Sequence, residues 1–233
     1  MKNVKNLLKN IIVTIYPNKC ICCGEIIAEG INLCKNCNKN IERLNIDDIC
    51  LDCGLEKAYC ECKYSIYRFG SLVSAFKNCG LARKAYYSYK FAKKEHYADF
   101  FADEIYSAVN ECYNNINFDL ICAVPPFKKR SYDHSGYIAK KISHRLNIPF
   151  LNDLLICVKK SKRQHKSSIK ERLSNVDNKY TVNCRVDGMN ILLIDDIKTT
   201  GATMDECAKV LLFAGAKNVY CACALVTVIE NKN

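Results

Sequence analysis

Apolar positions along the chain form short unbroken runs, and the stretches between them have helical spacing. Residues 118–124, FDLICAV, make a compact apolar run closed by Pro125 and Pro126, which predicts a buried strand. Residues 136–146 carry apolar positions at helical intervals. Residues 190–195 repeat the strand pattern, residues 203–214 read as a helix ending near Gly215, and residues 218–228, NVYCACALVTV, are a third β-rich run. Strands apolar on both faces and separated by helices predict an α/β fold with a mostly parallel sheet flanked by helices. Residues 74–110 read as helical throughout.

The first residues follow another pattern. Positions 4, 7, 8, 11, 12 and 15 are apolar and lie among Lys2, Lys5 and Lys9, a basic amphipathic helix expected over residues 1–19. The stripe packs on the body of the protein or lies on a membrane surface as a peripheral contact. It lacks the compact apolar block and small-residue cleavage site of an export signal, and no apolar run is long enough to span a bilayer. The expected location is therefore cytoplasmic, with membrane association as the variant.

Cysteine usage divides the chain further. Of 17 cysteines, nine fall within residues 20–62. Thiols in a reducing compartment that cluster at short spacing point to metal rather than disulfides. Cys20-x2-Cys23 and Cys34-x2-Cys37 form one set, and Cys50-x2-Cys53 and Cys60-x-Cys62 form a second. Each pair can aim two thiolates at one ion, with Gly24 and Gly54 easing the turn. One or two structural zinc ions are expected in a small domain over residues 20–65, with Cys22 as a spare thiol. Cysteines elsewhere, such as Cys122, Cys221 and Cys223, sit in apolar settings and read as core. The formal charge is +11; two four-thiolate zinc sites would lower it to roughly +7. The chain stays basic, which suits an anionic ligand or nucleic acid.

The densest chemistry is ILLIDDIKTTGAT, residues 191–203. A buried strand runs into Asp195 and Asp196, and a loop rich in hydroxyls opens a helix. Ligands of such sheets sit beyond the carboxyl ends of the strands, and a helix N-terminus suits a phosphate. The spacing is not that of a Walker loop. Two carboxylates repel a polyphosphate but accept hydrogen bonds from neighbouring sugar hydroxyls. The stretch therefore suits a sugar phosphate, with the loop on the phosphate and the acids on ribose.

That stretch resembles the phosphoribosyl-diphosphate (PRPP) motif of type I phosphoribosyltransferases. Together with the paired cysteine sets, the chain resembles the ComF family of competence-related proteins from about residue 16 onward. Three further segments are similar to that family: RSYDHS at 130–135, Gln164 with Glu171-Arg172 and Asn175-Val176, and Lys90-Phe91. The resemblance implies a phosphoribosyltransferase-like domain over residues 66–233 behind a double zinc ribbon. It implies that Asp195 and Asp196 contact ribose and that Lys198, Thr199, Thr200, Gly201, Ala202 and Thr203 form the PRPP loop. Lys128, Lys129 and Arg130 become the candidate cations for pyrophosphate, whose neutralisation would drive transfer as C1 becomes oxocarbenium-like. Mg²⁺ would accompany PRPP on its hard oxygens. The chain departs from the family at Ser131, in a shorter loop before Arg130, and at Lys198.

Two basic stretches lie outside these motifs. Residues 158–172 include Lys162 and Arg163 but no aromatic. Residues 84–94 interleave Lys84, Lys90, Lys93 and Lys94 with Tyr86, Tyr87, Tyr89 and Phe91, a better stacking surface for single-stranded DNA. His134 and His165 are either acid–base groups or structural. The reading is a PRPP-binding, phosphoribosyltransferase-like protein handling single-stranded DNA with other competence proteins. As an enzyme it would transfer phosphoribose to an unnamed acceptor. The alternative is a non-catalytic zinc-ribbon binding protein that takes PRPP as a regulatory ligand.

Overall fold

The computed structural model describes residues 17–60, 62, 67–91, 97–126, 132–158 and 179–228. Four strands, β1 (Ser71–Lys77), β2 (Leu120–Ala123), β5 (Asn190–Lys198) and β6 (Asn218–Val226), form one parallel sheet in the order β1-β6-β5-β2. The remaining pair, β3 (Leu155–Cys157) and β4 (Tyr180–Val182), is a small antiparallel sheet of its own. Parallel central strands are covered on both faces, which explains the continuous apolar runs. Ile191, Leu192, Leu193 and Ile194 are all fully buried, as are Cys221 and Cys223, and Cys122 is nearly so.

Alternation along β5 divides the core in two. Leu192 and Ile194 join one cluster with α2 (Gly80–Phe91), α3 (Tyr97–Cys112) and α4 (His134–Leu146). Ile191 and Leu193 join another with α5 (Ala202–Phe213) and the β3–β4 pair. A short helix, α1 (Lys35–Asn40), belongs to the first cysteine set.

One expectation is corrected: residues 74–77 are not helical but complete β1. Ser71 and Ser74 interrupt the apolar run, so it lacks the look of a buried strand, although both serines are buried. Helical structure begins at Gly80, and residues 92–96 between α2 and α3 lie outside the described residues. The predicted helix at 136–146 and strands at 118–124, 190–195 and 218–228 appear as α4, β2, β5 and β6, with ends moved by a few residues. Most of the basic amphipathic stretch at 1–19 lies outside the described residues. Among the described residues no helix is long and apolar enough to cross a membrane.

The cysteine-rich segment lies along the open edge of β1. Leu72 donates to the Leu51 carbonyl at 2.6 Å, Leu44 to Ala75 at 3.0 Å, and Lys77 to Glu42 at 2.9 Å. A sheet edge that would otherwise present unpaired backbone is thereby capped. Ion pairs from Arg43 to Glu104 at 2.5 Å and from Glu56 to Lys77 at 2.7 Å flank the seam.

Candidate functional site

Two four-cysteine groups are built as the spacing predicts. Sγ atoms of Cys20, Cys23, Cys34 and Cys37 lie within 4.8 Å of one another, and so do those of Cys50, Cys53, Cys60 and Cys62. A tetrahedral zinc with Zn–S bonds of about 2.3 Å requires Sγ separations of about 3.8 Å. The structure gives 3.8 Å for Cys23–Cys34, 3.6 Å for Cys50–Cys62 and 3.9 Å for Cys53–Cys60. The donor sets therefore fit structural zinc at both places. Each first knuckle turns through a glycine at positive φ, Gly24 at 79° and Gly54 at 73°, whose N–H bonds to the carbonyl of Cys20 or Cys50. Cys22 is not part of a group. It is buried and its thiol faces the Leu81 carbonyl at 3.7 Å, so it packs rather than substituting for a ligand.

The second site lies at the carboxyl ends of β2 and β5. A cleft of about 240 Å³ is walled by Val124, Pro125 and Pro126 after β2, Tyr132 to Ser135 at the start of α4, Asp195 to Ile197, Thr203, Tyr180 of β4 and Lys90 of α2. The N-termini of α4 and α5 both belong to this wall, so two helix dipoles present positive ends to it. Asp133 caps α4, accepting from the Gly136 N–H at 2.9 Å, and burial raises its carboxyl above the usual range.

The two adjacent acids have different partners. Asp196 accepts from Tyr86 Oη in a short hydrogen bond, from Lys90 Nζ at 2.8 Å, and from the Ile197 N–H at 2.7 Å. Tyr86 and Lys90 are one helical turn apart, so α2 presents both on one face. Burial pushes the Asp196 carboxyl up, but the Lys90 charge and the hydrogen bonds outweigh it and hold it below the ordinary range. Asp195 is only 8% exposed and accepts from the Asp196 N–H at 2.8 Å and Ser135 Oγ at 3.4 Å. Burial, reinforced by the neighbouring Asp196 charge, raises it well above the carboxylate range. Asp196 is thus matched by a lysine, and burial beside it disfavours a second charge on Asp195.

The predicted loop follows β5 directly. Thr199, Thr200, Ala202 and Thr203 are exposed, and Gly201, at φ 80°, is the N-cap of α5. Lys198 lies elsewhere. It is only 4% exposed, outside the cleft wall, and its ammonium sits 5.8 Å above the ring centroid of Tyr67. Lys128, Lys129 and Arg130 lie outside the described residues. So do Lys93, Lys94, Lys162, Arg163, His165, Ser131 and the 164–176 segment.

The α2 surface divides by helical phase. Tyr86 and Tyr89 are fully buried, which removes them from the predicted stacking face, and Lys90 is committed to Asp196. Tyr87 (41% exposed) and Phe91 (68% exposed) remain, with ring centroids 5.4 Å apart and Arg83 stacked over Tyr87 at 5.5 Å. Lys84 is exposed on the same helix. His134 is buried between the Tyr89 and Tyr132 rings and reads as structural. Sequence reasoning missed the roles of Tyr67, Arg68, Asp133 and Ser135. It placed Tyr86 on the surface, although its i, i+4 spacing to Lys90 was visible.

Two family models match the chain: the phosphoribosyl transferase domain over residues 133–232 and the double zinc ribbon domain over residues 11–65. Among curated proteins, the DNA utilization protein YhgH of Salmonella typhi is 29% identical over 111 residues, covering 45% of this chain and 49% of that protein. The competence protein ComFC of Bacillus subtilis is 30% identical over 127 residues, covering 54% and 52%. The competence protein F of Haemophilus influenzae is 29% identical over 94 residues, covering 39% and 41%. The chain spans about half the length of the curated relatives it matches. Among solved structures, the glutamine PRPP amidotransferase of B. subtilis aligns with 55% of this chain and 25% of its own at 22% identity and a TM-score of 0.40. A purine phosphoribosyltransferase from Pyrococcus horikoshii aligns with 55% and 73% at 17% identity and a TM-score of 0.37.

Proposed function

Because this chain is a ComF-like protein, a double zinc ribbon joined to a phosphoribosyl transferase domain, we propose that it binds PRPP in the β2–β5 cleft and acts in the handling of single-stranded DNA during natural competence. The observation that carries the reading is the acid pair at the end of β5, which meets the N-terminus of α5 in one cleft. Ribose hydroxyls donate to Asp195 and Asp196. The N–H groups of residues 199–203 and the exposed threonine hydroxyls among them take the 5-phosphate. Lys128, Lys129 and Arg130 follow the β2 loop that walls the same cleft and are the groups assigned to pyrophosphate. We take residues 66–233 as the catalytic or binding unit and 20–65 as its ribbon, in a cytoplasmic protein.

Among the described residues, the only groups compact enough to hold a metal unaided are the two cysteine sets. Mg²⁺ would therefore enter on the ligand's own oxygens, where it supplies charge neutralisation for departing pyrophosphate. The chain's own contribution is to orient ribose through the acids and to keep Asp196 matched by Lys90 until the ligand arrives. Calorimetric titration of PRPP with Mg²⁺ tests this. Micromolar-range binding by the wild type, lost in Asp195→Asn/Asp196→Asn, is expected. Equal binding by both would place PRPP elsewhere.

The exposed Arg83–Tyr87–Phe91 ladder favours the DNA part of the reading, since aromatic faces beside cations stack successive bases. A fluorescence anisotropy titration with a single-stranded oligonucleotide should show salt-sensitive binding that weakens about tenfold or more in Tyr87→Ala/Phe91→Ala. If turnover is absent while both ligands bind, the protein is the non-catalytic form of the same reading, with PRPP as regulator.

A further inference from the structure

Tyr67 and Arg68 come five and six positions after Cys62, the last of the second cysteine set, and reach the loop between β5 and α5. The Tyr67 ring packs against the small core of the second ribbon, the cluster on which Cys50, Cys60 and Cys62 also pack. It stacks on Phe69 with centroids 4.7 Å apart. Its hydroxyl donates to the Thr200 carbonyl at 3.0 Å. The ring also sits where a side chain at Gly201 would go: a Cβ there would lie 2.7 Å from a ring carbon. Arg68 grips the next residues. Its N–H donates to Asp205 Oδ1 at 2.5 Å and its guanidinium to Asp205 Oδ2 at 2.6 Å, in the first turn of α5.

We propose that Tyr67 and Arg68 are positioning residues that hold residues 199–205 in their ligand-ready shape, so that metal in the second ribbon governs the order of this loop. That the loop serves a phosphate rests on the reading above, but the bracing does not. A loop of Thr, Thr and Gly has little apolar surface of its own to bury and cannot fix its backbone unaided. Here the fixing contacts come from residues just past the second cysteine set, and Tyr67 packs both on that set's core and on the sheet core. The second ribbon is thus more than a staple for its own fold: it is a support for one wall of the cleft. The helix that brings Lys90 to the cleft is held separately, since Glu42 accepts from the N–H groups of Leu81 and Ala82 at the start of α2.

Amide hydrogen exchange on the zinc-loaded full chain tests the proposal without any ligand. Tyr67→Phe and Arg68→Met should each raise exchange at residues 199–205 about tenfold, the effect of one hydrogen bond of ordinary net strength. Exchange at Leu81 and Ala82 should stay at the wild-type rate. Arg68→Lys should restore part of the protection. Cys53→Ser, with one zinc lost by native mass spectrometry, should loosen the same loop amides. If that variant fails to fold, the two ribbon-intact variants decide the bracing, and loop exchange in the wild type as a chelator removes zinc decides the part of the metal: unchanged loop exchange after zinc loss would overturn it. Unchanged loop exchange in both folded variants would overturn the bracing. A wild type that binds no PRPP would instead overturn the ligand assignment and leave the exchange result standing.

Discussion

Lys90 is the residue on which the acid pair depends. Its charge and hydrogen bond hold the Asp196 carboxyl below the ordinary range despite burial. A carboxylate with a depressed folded pKa adds stability that is present above its unfolded value, about 4. That stability disappears as pH falls through the lower folded value. Lys90→Met should therefore lower stability at pH 7 by roughly 1–3 kcal/mol, less than for a fully buried pair because each partner is a fifth exposed. Thermal melts of variant and wild type should converge as the pH falls below the lowered folded value. Asp195 has the opposite sign. Its raised pKa means that the neutral form suits the fold, so its contribution is full at acid pH and declines as pH rises through the folded value. Asp195→Asn, which keeps an acceptor for Ser135 and the Asp196 N–H, should melt at or above the wild-type temperature at pH 8. A lower melting temperature there would show that Asp195 is ionised and needed as a charge.

At the scale of elements, the hydrophobic pattern revealed the central strands because they are buried on both faces and carry little else. β5, β2 and β6 could be read from their apolar runs, and the acid pair and loop could be placed at the correct end of β5. β1 could not, because Ser71 and Ser74 interrupt it, and β3 and β4 are three residues each. What holds the acids was also hidden. The Lys90–Asp196 contact joins positions 106 apart, and no local spacing encodes it. The helix that delivers Lys90 is itself anchored at its start by Glu42, which takes the Leu81 and Ala82 N–H groups as an N-cap side chain does. Glu42→Ala should cost about 1 kcal/mol, seen as a lower urea midpoint with an unchanged slope. At the other wall, Gly201→Ala meets both a left-handed backbone and the Tyr67 ring. It should cost roughly 2 kcal/mol or more in the same measurement. A neutral Gly201→Ala would mean that the loop shifts freely off Tyr67.

The whole molecule is organised so that neither half is complete alone. Cys20, Ile21, Leu33, Cys34, Cys37 and Ile41 belong to the same core as Phe76, Tyr86 and Phe101, and the second ribbon shares its core with Val226 of β6. The outer edge of β1 finds its backbone partners in residues 42–51. Structural zinc sites of this kind contribute on the order of 10 kcal/mol to folding their own segment. If the ribbon unfolds on metal loss, the β1 edge and one side of the α2–α3 core are laid open together. Native mass spectrometry of the full chain should therefore find two zinc ions. Removing them with a chelator should lower the melting temperature of the sheet, and light scattering should rise as exposed β1 edges pair between molecules. Restoring zinc before scattering begins should recover the original melt. A metal-free chain whose sheet melts unchanged and stays monomeric would show that the ribbon is an appendage, and the shared cores would then have to be stable without it.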